Sequence, residues 1–139
     1  MKNSLQTLTR IQKFNIDEQR KLLVEQQTRE ENLLNDLNNL NTRYEQEKEF
    51  ARQNANLGDF GLYTKRYLQQ REELEVKLAA VRARISEIRD IISDMFKEQK
   101  TFEIVDDNRQ KTAQKEFDSK EQKMLDDIGT NAYIKHNRS

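Results

Sequence analysis

The sequence predicts an all-α protein, a long antiparallel two-helix coiled-coil hairpin with unequal arms. Composition supports this first, because 34% of the residues are apolar and 36% are charged, which makes a broad globular core hard to build. The chain also has no proline and three glycines, so helix is permitted almost everywhere. Finally, a heptad pattern of apolar residues runs through its second half.

Helix signals divide the chain into two helices and one turn. We predict a first helix over about residues 5–54, a turn over about 55–61, a second helix over about 62–127 and a tail over 128–139. These segments form a single coiled-coil domain over residues 1–139. The unequal helix lengths give the hairpin its unequal arms.

A diluted apolar stripe follows the first helix. It repeats every eleven residues at Ile11, Leu22, Leu33 and Tyr44, with Leu8, Leu37 and Leu40 on the same face. An eleven-residue repeat keeps one face of a nearly straight helix aligned. Polar residues occupy places where a strong coiled coil has leucine or isoleucine, at Asn15, Gln19, Gln26 and Glu30. We therefore expect this helix to pair weakly.

The second helix carries a sustained heptad seam. Its apolar residues alternate in steps of four and three, at Leu74, Leu78, Val81, Ile85, Ile88, Ile92 and Met95, with Tyr67 one heptad before Leu74. All of these side chains fall on one narrow helix face, which is typical of packing core. We assign no ligand to this seam.

The segment between the helices, residues 54–62, is suited to a tight turn. It holds two of the three glycines together with Asn56 and Asp59, residue types that adopt turn conformations and cap helices. The turn also offers apolar side chains of the kind that a chaperone would use at its tip, at Leu57, Phe60, Leu62 and, just after the segment, Tyr63.

Residues 113–128 are expected to project beyond the first helix. Folding the chain back at Gly58 sets Leu5 opposite about residue 112, and the apolar spacing nevertheless continues. The residues that keep this spacing are Ala113, Phe117, Met124 and Ile128. A helix here would expose an apolar stripe that suits a docking partner. The alternative is a frayed, half-helical tail.

The chemistry needed for an enzyme or a metal site is missing from the sequence. Cysteine is absent, and the one histidine, His136, lies in the tail with no second histidine to complete a zinc site. No glycine-rich phosphate loop or nucleophile elbow is present. We therefore predict no enzyme activity and no cofactor.

Charge and hydropathy limit the partners and the location. Basic and acidic residues balance at 25 each, which argues against nucleic acid as the main partner. The longest apolar run, Leu78 to Val81, is far short of the ~18 residues of a membrane-spanning helix. With no signal-peptide pattern at residues 1–10, we expect a cytoplasmic protein.

Two segments resemble the FliJ family of flagellar type III export proteins. Leu-Tyr-Thr-Lys-Arg-Tyr-Leu-Gln-Gln-Arg-Glu-Glu-Leu at 62–74 resembles the start of that family's second helix. Glu-Gln-Lys-Met-Leu-Asp-Asp-Ile at 121–128 resembles its C-terminal signature. Gly129 departs from the family pattern, in which a small residue continues the helix. We expect the second helix to end about there, without the family's basic helical tail.

The resemblance implies a cytoplasmic component of flagellar export, peripheral to the inner membrane through its partners only. Those partners would be the export ATPase ring, whose assembly and ATP hydrolysis the hairpin promotes as a shaft, the export gate protein and the export chaperones. Carried onto this chain, the gate-binding candidates are Tyr67, Leu68, Leu74 and Leu78, of which Leu74 and Leu78 also belong to the seam. The ring-binding candidates are Phe117, Gln122, Lys123, Met124, Asp126, Asp127 and Ile128.

Other interpretations of the candidates and of the fold stay open at this point. The polar ring candidates also fit a plain solvated helix face. The hairpin itself fits a holdase chaperone that clasps unfolded clients at its tip, or a structural tether that sets a spacing. A holdase favours exposed apolar tips, whereas a tether favours uninterrupted heptads, which the first helix does not supply.

Overall fold

The computed structural model describes residues 2–55 and 58–138, with side chains described for 4–55 and 58–135. It consists of two helices packed against each other, α1 (Lys2–Gln53, 52 residues) and α2 (Phe60–Arg138, 79 residues). No strand occurs among the described residues. The predicted fold class, an all-α helical hairpin, is confirmed.

The turn forms where the sequence predicts it. The Asn54 backbone N–H and side-chain amide both donate to the Phe50 carbonyl, at 3.0 Å, and end α1. Gly58 has a φ of +93°, a conformation that other residues rarely adopt. The Asp59 carboxylate then accepts the Leu62 backbone N–H at 3.2 Å and caps the start of α2. Asn56 and Leu57 lie outside the described residues.

The second helix extends further than predicted. We expected it to end near residue 127, but α2 continues through Gly129 to Arg138, so that prediction is wrong. A glycine within a helix lowers its stability by about 1 kcal/mol, and the following residues contain no proline to stop it. A single unfavourable residue therefore does not end the helix. The side chain of His136 lies outside the described ones.

The chain divides into two compact units. One comprises Phe14–Phe96, and the other comprises Met1–Lys13 together with Lys97–Ser139. In the first unit, Tyr44 stacks on Tyr67 and Glu30 pairs with Arg82, so α1 and α2 run antiparallel there. In the second unit, Gln12 donates to Glu98 at 3.0 Å.

In the Phe14–Phe96 unit, the α2 seam is the core, as predicted. Ile88 is fully buried, Ile85, Leu78 and Tyr67 are nearly so, and the other seam residues are half-buried at Leu74, Val81, Ile92 and Met95. These side chains face α1 because a heptad repeat keeps them on the side that faces the partner helix.

The stripe on α1 follows heptads, so the predicted eleven-residue repeat is wrong near its start. Leu8 and Ile11 are 44% and 51% exposed, whereas Leu5, Gln12 and Ile16 are buried. Burial continues in steps of three and four at Gln19, Leu23, Gln26, Glu30, Leu33, Leu37, Leu40 and Tyr44. The α2 seam has a period of 3.5 residues, and α1 must match it to stay in contact.

Candidate partner-binding surfaces

The most exposed part of the chain is the second half of α2. Every described side chain from residue 107 to residue 135 is exposed. In the unit that contains this segment, α1 contributes only residues up to Lys13. Leu5 lies there beside Asp106, Ala113 and Phe117 in an open cleft. The expected projection beyond the start of α1 is therefore present, and it is helical.

The apolar stripe predicted on this segment is uncovered. Phe117, Met124 and Ile128 are 62%, 59% and 58% exposed, and they recur at steps of seven and four along one helix face. Leu125, beside this stripe, is 55% exposed and was not among the predicted residues. Contiguous exposed apolar side chains of this kind are typical of protein-binding surfaces.

The polar ring candidates lie on the same exposed helix. Gln122 donates a hydrogen bond to Asp126 at 3.1 Å, one turn further along α2. Lys123 and Asp127 are exposed. The two other links of this type on α2 join Gln110 to Asp106 and Gln114 to Asp118. Because these bonds stay within one helix, the residues can still turn charge towards a partner. Their role in binding stays a prediction.

A cluster of aromatic rings joins the two helices next to the turn. Tyr44 stacks on Tyr67 with ring centroids 3.9 Å apart. Phe60 and Tyr63 also stack on Tyr44, with centroid distances of 5.7 and 6.3 Å. The Tyr44 hydroxyl lies 3.2 Å from that of Thr64. We call Tyr44, Phe60, Tyr63 and Tyr67 the aromatic cluster; it fixes the register of the helices near the turn.

Polar contacts reinforce this cluster. The Tyr67 hydroxyl donates to the Asn41 side-chain oxygen at 2.6 Å. The Arg71 guanidinium lies 5.6 Å from the centre of the Tyr67 ring. The pKa of Arg71 is raised above its ordinary value, mainly by a hydrogen bond with Tyr67 and to a lesser extent by charge interactions. Asn41 and Thr64 were not singled out from the sequence, because isolated polar residues on a helix carry no pattern.

Packing at the turn leaves less of an apolar tip than the sequence offers. Phe60 and Tyr63 are half-buried in the aromatic cluster, so they are not the exposed tip residues that a chaperone would favour. Leu62 is 49% exposed, and Phe50 is 54% exposed on α1. The physical reason is that stacking on Tyr44 removes both rings from water.

Most of the gate candidates are engaged within the hairpin. Tyr67 and Leu78 are buried, with 8% and 7% of their surface exposed, and Leu74 is half-buried. Leu68 is 46% exposed and is the one of the four that offers much of its side chain to a partner. The expectation that Leu74 and Leu78 belong to the seam is confirmed. Gate binding by any of the four stays a prediction.

Neither a cluster of metal-ligating side chains nor a membrane-spanning stretch occurs among the described residues. They contain no group of three or more histidine, cysteine, aspartate or glutamate side chains that could hold a metal ion. Neither described helix has a stretch that is long and apolar enough to cross a membrane.

These features define a class: an all-α helical hairpin with exposed helix faces suited to binding other proteins. The chain matches the sequence model of the family described as Flagellar FliJ protein over residues 1–138. It therefore belongs to the FliJ family, and the resemblance found in the sequence is confirmed. Comparison with curated proteins and with solved structures found no match.

Family membership carries a general function. The FliJ family has a structural and regulatory role in flagellar protein export, in association with the export apparatus. The chain is therefore a protein of flagellum biogenesis and protein export.

Proposed function

We propose that the protein acts in the cytoplasm as a coiled-coil shaft for the flagellar export ATPase. The exposed end of α2 would enter the ATPase ring, promote ring assembly and stimulate ATP hydrolysis. The observation that carries this proposal is the exposed stripe of Phe117, Met124 and Ile128, on a part of α2 where every described side chain from residue 107 to residue 135 is exposed. FliJ family membership supplies the kind of partner.

The polar residues around the stripe have a separate role in this proposal, which is to orient the helix. Gln122, Lys123, Asp126 and Asp127 are exposed and carry both signs of charge. Exposed charges contribute little to affinity in water, but they favour one orientation of two binding surfaces over another. We propose that the apolar stripe supplies most of the affinity and that these four residues orient the helix in the ring.

The region near the turn is the proposed contact with the export gate protein and the export chaperones. Leu68 would contact the gate protein directly, because it is the exposed member of the four gate candidates. Tyr67, Leu74 and Leu78 would act by holding the surface around it. The protein would then be peripheral to the inner membrane through its partners only.

A holdase chaperone is the second candidate function, and a specific observation favours it. Phe50 and Leu62 lie near the turn and are 54% and 49% exposed, which offers an apolar surface to unfolded clients. The aromatic cluster, however, withdraws Phe60 and Tyr63 from that surface. A structural tether has no comparable observation in its favour, because polar residues interrupt the α1 seam.

Removing residues 114–139 tests the shaft proposal. We expect the shortened chain to lose its stimulation of ATP hydrolysis by the purified export ATPase. Its thermal melting should change little, because every described side chain from residue 114 to residue 135 is exposed. Full stimulation by the shortened chain would refute the assignment and leave the turn region as the better candidate.

Paired substitutions separate the stripe from the helix as a whole. Phe117→Asp with Met124→Asp places charges on the stripe, whereas Ser119→Asp with Thr130→Asp places them on the opposite face. Only the first pair should lower the stimulation. Holdase activity towards a denatured client, measured as suppressed light scattering, should be equal for both pairs.

A further inference from the structure

Polar residues occupy part of the α1 seam in the Phe14–Phe96 unit. Gln19 and Gln26 are one heptad apart and half-buried at positions that face α2. The side-chain oxygen of Gln19 is buried and has no hydrogen-bond partner. A buried polar atom without a partner destabilises the contact that buries it. The α1 helix is therefore held weakly here.

The opposite side of this contact, on α2, is strongly apolar. Counting equal steps along both helices from the stacked pair Tyr44 and Tyr67 places Gln26 beside Ile85 and Gln19 beside Ile92. Leu78, Ile85 and Ile88 are among the most buried residues of the chain. Isoleucine packed against glutamine loses contacts that leucine or isoleucine would make. Another helix with an apolar seam would therefore fit α2 better than α1 does.

Basic residues border this apolar stripe. In the heptads of Leu78 and Ile85, the flanking positions hold Lys77, Arg82, Arg84 and Arg89. The structure shows one ion pair from α1 to this basic border, between Glu30 and Arg82 at 3.2 Å. Arg84 instead pairs with Glu87 on its own helix at 2.9 Å. The border is therefore largely left without acidic partners from α1.

We propose that residues 78–95 of α2 form a docking face for an acidic amphipathic helix of a partner protein. The incoming helix has apolar residues at its seam and aspartate or glutamate on both flanks. It displaces α1 over about residues 16–30, where the glutamines lie. The aromatic cluster, with its hydrogen bond between Tyr67 and Asn41, keeps the helices joined near the turn while α1 is displaced.

The charges argue against a second copy of this chain as the occupant. In a parallel pair of α2 helices, the flanking positions bring Lys77 close to Arg82 of the other copy and Arg84 close to Arg89. Like charges at such positions destabilise a coiled coil, whereas acidic flanks neutralise them.

If the partner helix must displace α1, its apparent affinity depends on how often the hairpin opens. The face is available only in the fraction of molecules in which α1 has opened, and apparent affinity falls in proportion to that fraction. Substitutions that tighten the hairpin should therefore weaken binding. Binding to a surface that is already exposed should stay the same, because tightening a distant contact does not change how much of that surface is available.

The test uses two synthetic peptides of about four heptads with isoleucine and leucine at the seam. One has glutamate at all flanking positions and the other has lysine, so each repels itself and stays monomeric. We measure binding to the full chain by fluorescence anisotropy. The acidic peptide should bind at least about tenfold more tightly than the basic one, and Arg84→Glu with Arg89→Glu should reverse the preference.

Variants of the glutamines test the displacement. Gln19→Leu with Gln26→Leu should raise the melting temperature and weaken binding of the acidic peptide by about tenfold. Gln46→Leu, on an exposed position of the same helix, is the matched control and should change neither. In hydrogen exchange, the bound acidic peptide should increase exchange over residues 16–30 and leave residues 78–95 protected.

Three results would overturn the proposal. Equal binding of the two peptides would remove the charge argument, and unchanged binding by the glutamine variant would show that α1 is not displaced. Protection confined to residues 117–128 would place the peptide on the exposed stripe instead. None of these results bears on ATPase stimulation, so the shaft proposal is tested separately.

Discussion

Single residues of α2 differ sharply in what they contribute to stability. Ile88 is fully buried against α1, whereas Val76 on the same helix is 63% exposed. Burying an aliphatic side chain stabilises a fold by about 1.5 to 3 kcal/mol, and an exposed one adds little. The heptad pattern alone separates these two residues, because Ile88 lies on the seam and Val76 lies off it.

Replacing each of these residues by alanine gives a residue-scale prediction. Ile88→Ala should lower the free energy of unfolding by about 2 to 4 kcal/mol, because it leaves a gap where the side chain is fully buried. Val76→Ala should change it by less than about 0.5 kcal/mol. Thermal or urea melts followed by circular dichroism measure both. Equal effects would mean that the seam is misplaced.

At the scale of elements, the sequence predicted α2 better than α1. The α2 seam has apolar residues at every step from Leu74 to Met95, so its register is unambiguous. On α1, Gln19 and Gln26 were recognised as polar seam residues, but Gln12, which is also on the seam, was passed over because it is not apolar. The eleven-residue repeat arose because it linked the remaining apolar residues. Only the packing against α2 shows that heptads are followed.

The ends of the elements were predicted with mixed success. Gly58 and Asp59 marked the turn correctly because only glycine adopts its backbone conformation readily and aspartate caps the next helix. Gly129 was misjudged as the end of α2. A glycine signals a helix end only where the backbone conformation requires it, and the sequence does not reveal that conformation.

The same substitution at these two glycines should therefore have opposite effects. Gly129→Ala should stabilise the end of α2 by about 0.5 to 1 kcal/mol, because the added methyl group meets nothing within 4 Å. Gly58→Ala should destabilise the hairpin by roughly 1 kcal/mol, because alanine is strained at a φ of +93°. Helicity and melting temperature report both effects. A loss of helicity in Gly129→Ala would contradict the continuous helix.

For the whole molecule, the sequence predicted the exposed surface at the end of α2 more clearly than the surface near the turn. The uncovered stripe followed from comparing the lengths of the two helices, so Phe117, Met124 and Ile128 were predictable. The packing near the turn was not predictable, because the sequence does not show whether Tyr67 is in the core or on the surface. Its stacking on Tyr44 shows that it is in the core. Family membership points to the flagellar export apparatus in general, and the particular partners are proposals, since periodicity carries no information about them.

One measurement tests the central claim that the exposed end of α2 enters the export ATPase ring. A photo-crosslinking amino acid is placed at Phe117 or at Val76, which are matched in exposure at 62% and 63%. Each protein is irradiated with the purified export ATPase under conditions of ATP hydrolysis. Crosslinks to the ATPase from position 117, with none from position 76, are the predicted result. Crosslinks from position 76 alone would contradict the claim.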